Sequence, residues 1–170
     1  LNLNNKKAAS LGTLGLLSNK FKLKAANTTP DPISVHKLLQ KLKKHKIENV
    51  ILEASSHGLK QNRLNNIKFK TALFTNLSRD HLDYHKNIKD YLNSKLILFN
   101  KLLVPGGNII FNSNAKQAKE LNIISKKRKL KKYTFGSLKS FIKITNIRKI
   151  NNQNKVNFTA NKINYSFNTQ

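Results

Sequence analysis

Two stretches of this chain hold the residue types that do chemistry: Glu53-Ala-Ser-Ser-His-Gly-Leu-Lys-Gln-Asn-Arg63 and Thr75-Asn-Leu-Ser-Arg-Asp-His-Leu-Asp-Tyr-His85. Only 7 acidic residues occur in the chain, and Glu53, Asp80, Asp83 and Asp90 fall in or beside these stretches. Three of the 5 histidines, His57, His81 and His85, lie inside them. In a chain of net charge +26, acids grouped with histidines suggest a cation site.

Each group also has an ordinary reading. Glu53 closes a short apolar run, where a carboxylate is costly to bury without a cation or hydrogen-bond donors. It is either a ligand or a cap on the next turn. Ser55, Ser56 and His57 form a polar turn, but they lack the glycine-flanked elbow of a serine nucleophile. Asp80 to His85 offers imidazole and carboxylate ligands; the same residues can cap the helix that follows. Lys95 falls four residues after Tyr91 and four before Phe99 on a helical repeat. It either snorkels to water or meets an anion or a carbonate-derived modification. His36 and His45 lie on a lysine-rich helix and read as solvated.

The elements that must position these groups alternate. Ala8 to Gly15 reads as a buried strand entering a glycine turn. Asp31 and Pro32 open a helix, whose inner face is Ile33, Val35, Leu38, Leu39 and Leu42. Asn49 to Glu53, Thr71 to Thr75, Asn108 to Phe111 and Lys132 to Phe135 read as core strands. Helical patterns cover Ile88 to Leu103, ended by Pro105-Gly-Gly107, and Ala115 to Ile124. This order predicts an α/β domain with a largely parallel sheet flanked by helices. Ligands collect at the carboxyl ends of such strands, where Glu53 and Asn76 stand. Beyond Gly136, three period-two segments predict a small antiparallel sheet with a turn at Asn151 to Asn154. The expected organisation is residues 1–136 as a partial α/β domain, with 137–170 as an appended β segment of the same domain.

Composition narrows the function classes. There is no cysteine, hence no disulfide framework or thiolate site. No run of about 18 apolar residues or signal peptide is visible, so a cytoplasmic monomer without a membrane span is expected. The chain has no methionine and starts at Leu1, and is read as a fragment of a longer protein. The basic residues are nearly all lysine, with arginine only at positions 63, 79, 128 and 148. Abundant lysine, asparagine and isoleucine fit an AT-rich coding bias spread over solvated faces. Base and phosphate readers favour arginine, so nucleic-acid binding is the rival from another class rather than the leading reading. Lys126 to Lys132 reads as a solvated turn.

Taken together, Leu11-Gly-Thr-Leu-Gly15, Asn27-Thr-Thr-Pro30, Glu53-Ala-Ser-Ser-His-Gly58 with Gln61 and Arg63, Thr75 to His85, and Tyr91 to Lys95 resemble the central domain of the Mur ligases. Among these, the chain is most similar to the MurE type, which adds the third amino acid to UDP-N-acetylmuramoyl-L-alanyl-D-glutamate. The resemblance runs from about Gly12 to Phe111. It implies that Asn27, Thr28, Thr29, Ser55, Gln61 and Arg63 bind the UDP-muramoyl-dipeptide, and that Asn76 contributes to nucleotide binding. It further implies that Glu53 and His81 hold Mg2+, and that Lys95 is carbamylated and joins them. Glu53, His81 and Lys95 would be the catalytic residues of an ATP-dependent amide-forming ligase of peptidoglycan precursor synthesis. The incoming amino acid would be diaminopimelate or lysine. Folylpolyglutamate or cyanophycin synthetase relatives are the alternative within the class. One departure stands out. No Gly-Lys pair occurs in the chain, so the family's glycine-rich phosphate loop is not in it, and the fragment alone is expected to be inactive. Ala54 stands where the family usually has valine.

Overall fold

The computed structural model describes residues 7–24 and 26–169. They fall into two units. The first holds the described residues up to Ile67 together with Arg79–Leu102; the second holds Lys68–Ser78 and the residues from Leu103 onward.

In the first unit, β1 (Ala8–Gly12) turns through Thr13 and Leu14 into antiparallel β2 (Gly15–Ser18), with Gly12 opposite Gly15. Gly15 takes φ 84, a left-handed backbone that a side chain would strain. A two-residue β3 (Lys22–Leu23) adds to β2. On its other side β1 pairs in parallel with β4 (Asn49–Leu52), giving the order β3-β2-β1-β4. The glycine turn at Gly15 thus begins a second strand, and the sheet here is mixed.

Helix α1 (Pro32–Lys44) crosses between β3 and β4. The Asp31 carboxylate accepts a hydrogen bond from Ser34 N at 3.0 Å, Pro32 sits in the first turn, and Lys41, Lys43 and Lys44 face the negative end of the helix dipole. Val35 and Leu42 are buried, and Leu38 and Leu39 pack partly against a core of Ala9, Leu11, Leu16, Leu42 and Ile47. Ile33 departs from the expected inner face. It is 68% exposed in the first turn of the helix.

The segment after Glu53 is helical rather than a polar turn: α2 spans Ser56–Lys60 with Ser55 as its cap. Helix α3 (Ile88–Ile97) is capped by Asn87 and runs into a π-helical segment, Leu98–Leu102.

The second unit has one six-stranded sheet in the order β10-β9-β8-β7-β6-β5. The parallel strands β5 (Phe69–Phe74), β6 (Leu103–Asn112) and β7 (Lys131–Gly136) carry α4 (Ala118–Lys127) as the β6–β7 crossover. Ile109, Phe111 and Leu121 are fully buried. Pro105-Gly-Gly107 does not separate helix from strand; it lies inside β6, at a register shift against β5. A Cβ on Gly107 would lie 2.9 Å from the Val104 carbonyl and 3.0 Å from that of Lys70. The irregularity therefore needs glycine, and it lets the strand pass a proline that cannot donate to the ladder. Strands β8 (Ile142–Ile150), β9 (Gln153–Ala160) and β10 (Ile163–Thr169) form the antiparallel part, joined to β7 by a short parallel pairing at Phe135 and Gly136. The β8–β9 turn is Asn151-Asn152, both left-handed at φ 44 and 61. That is the primed hairpin turn for which asparagine is suited.

Leu42 is 1% exposed at the centre of the first unit's core. Leu42→Ala is expected to cost about 2–5 kcal/mol, read as a lower urea midpoint by circular dichroism.

Candidate functional site

The Asn27–Pro30 loop, the end of β4 and α2 meet in one hydrogen-bonded row. Thr29 is its pivot. Its hydroxyl donates to the Glu53 carbonyl at 2.8 Å and accepts from Ser55 N at 2.9 Å, and the residue is 1% exposed. The Ser55 hydroxyl accepts from Gly58 N at 3.1 Å and so caps α2. Arg63 Nη1 donates to the Thr29 carbonyl at 2.8 Å, and its Nε donates to Gln61 Oε1 at 2.8 Å. Gln61 Nε2 in turn donates to the Tyr84 hydroxyl at 3.0 Å, which brings in the second stretch.

Glu53 is exposed rather than buried, so desolvation does not force a cation on it. Its orientation comes from Thr13, whose backbone N and hydroxyl both donate to Oε2 at 3.0 Å. The Thr13 and Thr28 hydroxyls share a hydrogen bond of 3.1 Å. Among the described residues no donor reaches Oε1, which leaves that oxygen open to a ligand. Gly12 makes this arrangement possible: a Cβ there would stand 2.5 Å from Oε2 and 3.0 Å from Glu53 Cβ.

The second stretch does not fold as one ligand cluster. Among the described residues, no three His, Asp or Glu side chains converge to hold a metal ion. Asp83 is exposed. His85 turns inward to 1% exposure, where its Nε2 shares a 2.9 Å hydrogen bond with Ser56 Oγ. Its ring stacks on Tyr91 at 5.0 Å. His81 stays half exposed, 3.6 Å from the Asp80 carboxylate, on a left-handed backbone of φ 54. Such a backbone in a residue other than glycine is uncommon and marks a position under constraint. The His81 ring meets His57 at 5.1 Å and Tyr91 at 5.7 Å, both edge-on. Helix α3 is capped by Asn87, not by Asp80 or Asp83.

Lys95 does not extend freely to solvent. Its Nζ lies 5.1 Å over the Tyr91 ring. Burial holds its ammonium below the usual lysine range, against the opposing pull of the Asp80 and Glu53 carboxylates. That opposition puts Lys95 within electrostatic reach of both acids. His57 is held below the ordinary histidine value, first by burial and then by repulsion from His81 and His85. Neutral nitrogen is the form of either group that ligates or attacks.

Asn27 is exposed and lines an apolar groove with Leu11, Leu16, Leu38 and Asp31. Asn76 lies two residues past the end of β5, in the second unit. Ser56 and His57 were weighed from sequence only as a polar turn, and Thr13 and Tyr84 only as members of their motifs. The glycines flanking Thr13 were the one available signal for it, since a tight turn presents a backbone N–H.

The chain's likeness to known proteins covers nearly its whole length. A family model described as the Mur ligase middle domain matches residues 2–170. A UDP-N-acetylmuramoyl-L-alanyl-D-glutamate–2,6-diaminopimelate ligase of Bradyrhizobium diazoefficiens is 40% identical over 129 residues, covering 76% of this chain and 27% of that protein. The enzyme of the same name from Rickettsia montanensis is 39% identical over 168 residues, covering 96% and 35%. A solved structure of a ligase of that name superposes with a TM-score of 0.84 at 25% identity, covering 97% of this chain and 34% of that one. The chain thus spans about a third of the length of the relatives it matches.

The close packing at Gly58 gives a test with a definite sign. A Cβ there would lie 2.7 Å from both Cβ and Cγ2 of Thr29 and 3.1 Å from Ser55 Oγ. In an open helix Gly→Ala stabilises by about 0.5–1 kcal/mol. Here Gly58→Ala is expected to destabilise by about 1–3 kcal/mol, seen in thermal unfolding; a stabilised variant would refute the contact.

Proposed function

The chain belongs to the Mur ligases, as their middle domain, and from that premise we propose that it is the central part of an ATP-dependent ligase of peptidoglycan precursor synthesis. The protein containing it would add diaminopimelate or lysine to UDP-N-acetylmuramoyl-L-alanyl-D-glutamate. The relatives above are named as 2,6-diaminopimelate ligases, which favours diaminopimelate. The observation that carries this reading is the row of Thr29, Ser55, Gln61 and Arg63, drawn from separate segments and pivoting on Thr29 beside Glu53, with Thr28 joined to Glu53 through Thr13.

In this reading the row binds the muramoyl-dipeptide. Arg63 has five N–H donors in a planar fork, of which two are spent on Thr29 and Gln61. The remaining donors suit a carboxylate or phosphate oxygen. Asn27 and Thr28 border the same loop from the solvent side. We assign Asn76 to the nucleotide.

The donor set fits a magnesium ion in its chemistry. Glu53 offers an oxygen without a hydrogen bond, His81 a half-exposed imidazole, and Lys95 an amine that burial favours as neutral. The nitrogen lone pair of a neutral amine attacks CO2, and loss of one N–H proton to solvent leaves a carbamate, an oxygen ligand of the kind magnesium prefers. Glu53, His81 and Lys95 as its carbamate would hold the ion, which offsets phosphate charge when bound.

The reaction divides into two displacements. A D-glutamyl carboxylate oxygen attacks the γ-phosphorus of ATP, and the bond to the β-phosphate oxygen breaks to give ADP and an acyl phosphate. The amine of the amino acid attacks the acyl carbon and loses a proton, and the C–O bond to phosphate breaks. The protein's part is mostly alignment: the Arg63 row fixes the dipeptide while the Glu53 end orients the phosphoryl charge. The glycine-rich loop that grips ATP phosphates is not in this sequence, so the reading concerns the full-length protein. That protein is proposed to be a cytoplasmic monomer; no helix among the described residues is long and apolar enough to cross a membrane.

The assay is phosphate release and amide formation by the full-length protein with ATP, Mg2+, the UDP-muramoyl-dipeptide and either amino acid. Product with neither, together with binding of random DNA that survives physiological salt, would favour a nucleic-acid module instead. Arg63→Lys is expected to raise KM for the dipeptide about 10-fold or more with a smaller change in kcat. Lys95→Ala is expected to lower kcat on the order of 10²-fold or more, and added bicarbonate should not restore it. Near-normal turnover in that variant would exclude the carbamate.

A further inference from the structure

The most deeply buried ionisable side chain of the first unit has no part in the reading above. His85 is 1% exposed, and three segments close around it. Its Nε2 shares the 2.9 Å hydrogen bond with Ser56 Oγ at the start of α2, just past Glu53 and Ser55. Its backbone N donates to the His81 carbonyl at 2.9 Å, closing the turn that carries His81. Its ring lies on Tyr91 of α3 at 5.0 Å and 26°, one turn before Lys95, and Tyr84 meets its edge at 4.9 Å and 90°. Nδ1 is buried without a hydrogen bond, 3.5 Å from Asp90 Oδ2. Asp90 is itself fixed by Lys60 Nζ at 2.6 Å and Lys86 N at 3.2 Å.

Packing alone does not call for an imidazole here. A leucine would fill much of the volume without a polar nitrogen left unbonded, which costs free energy in a buried site. What an imidazole adds, besides the 3.5 Å approach of Nδ1 to Asp90 Oδ2, is one directed bond, to Ser56. That bond ties α2 to the turn and helix that carry His81 and Lys95. Groups one step removed from metal ligands commonly set the orientation of those ligands.

We propose that His85 is a positioning residue: through Ser56, the His81 backbone and Tyr91 it holds the His81 turn and the Lys95 helix in register with the strand end that presents Glu53. The proposal rests on the ligase reading. His85 touches neither substrate nor ion; it sets where His81, Lys95 and Glu53 stand.

The test uses the full-length ligase and Mn2+ as the probe, with binding followed by electron paramagnetic resonance in the absence of turnover. His85→Leu keeps the bulk and loses the bond. His85→Gln keeps a group able to reach Ser56. In His85→Leu, Mn2+ affinity is expected to weaken about 10–100-fold, with kcat falling by a similar factor. KM for the UDP-muramoyl-dipeptide should change much less. His85→Gln should recover most of both losses. A folded His85→Leu with unchanged Mn2+ affinity overturns the proposal, as does a His85→Gln no better than His85→Leu. Should His85→Leu fail to fold, Ser56→Ala removes only the hydroxyl and is expected to weaken Mn2+ binding in the same direction; no change there also overturns it. Wild-type protein that binds Mn2+ but forms no amide counts against the ligase reading and leaves the His85 comparison measurable by Mn2+ affinity alone.

Discussion

One hydroxyl closes the site. Thr29 Oγ1 donates to the carbonyl of Glu53 and accepts from the N–H of Ser55, so it bridges the two backbone groups that β4 leaves unpaired as it ends. Backbone polar groups at a partly buried strand end still need partners. Here a side chain from a loop 24 residues earlier in the chain does it. Because the bridge is made by a threonine, its methyl group points at α2, and only glycine at position 58 leaves room. The same bridge fixes Ser55 as the helix cap and lets Arg63 reach back to the Thr29 carbonyl. Loop, strand end and helix are therefore one rigid piece, with polar groups facing outward from it.

A second piece is built on rings rather than backbone. His57, His81, Tyr84, His85 and Tyr91 contact one another in a chain of stacked and edge-on pairs, with Lys95 over its far end. Within it His57 is held low, first by burial and then by its histidine neighbours. Lys95 is likewise held low by burial, against the pull of the Asp80 and Glu53 carboxylates. The lysines of α1, Lys37, Lys41, Lys43 and Lys44, lie on its solvated face. The few acids, by contrast, are concentrated around it. The electrostatic character of the site is thus set by local geometry and is little informed by the overall charge.

The legible part of this protein was that written in local chemistry. Asp31-Pro32 announced α1, Asn151-Asn152 a hairpin, and short apolar runs the core strands, because caps, left-handed turns and burial each select residue types directly. What escaped were features whose cause is a distant partner. Strand β2 was hidden because its four residues need β1 beside them. Helix α2 was read as a turn because five residues make no periodic pattern, and its cap depends on Ser55 being held by Thr29. Pro105-Gly-Gly107 looked like punctuation; it is an irregularity within β6 that parallel pairing with β5 tolerates.

The site divides along the same line. The order of the motifs by itself determined the family resemblance and the set of residues that carry it, since ligands for a cation and for an anion must come from a few side-chain types. It could not say that Glu53 is exposed and aimed by Thr13, or that His81 faces outward while His85, four residues on, is sealed against Ser56. Those outcomes were decided by the tertiary structure. Side-chain direction depends on which backbone groups each segment must satisfy and on which neighbours exclude water, and both are set only when segments far apart in the chain come together.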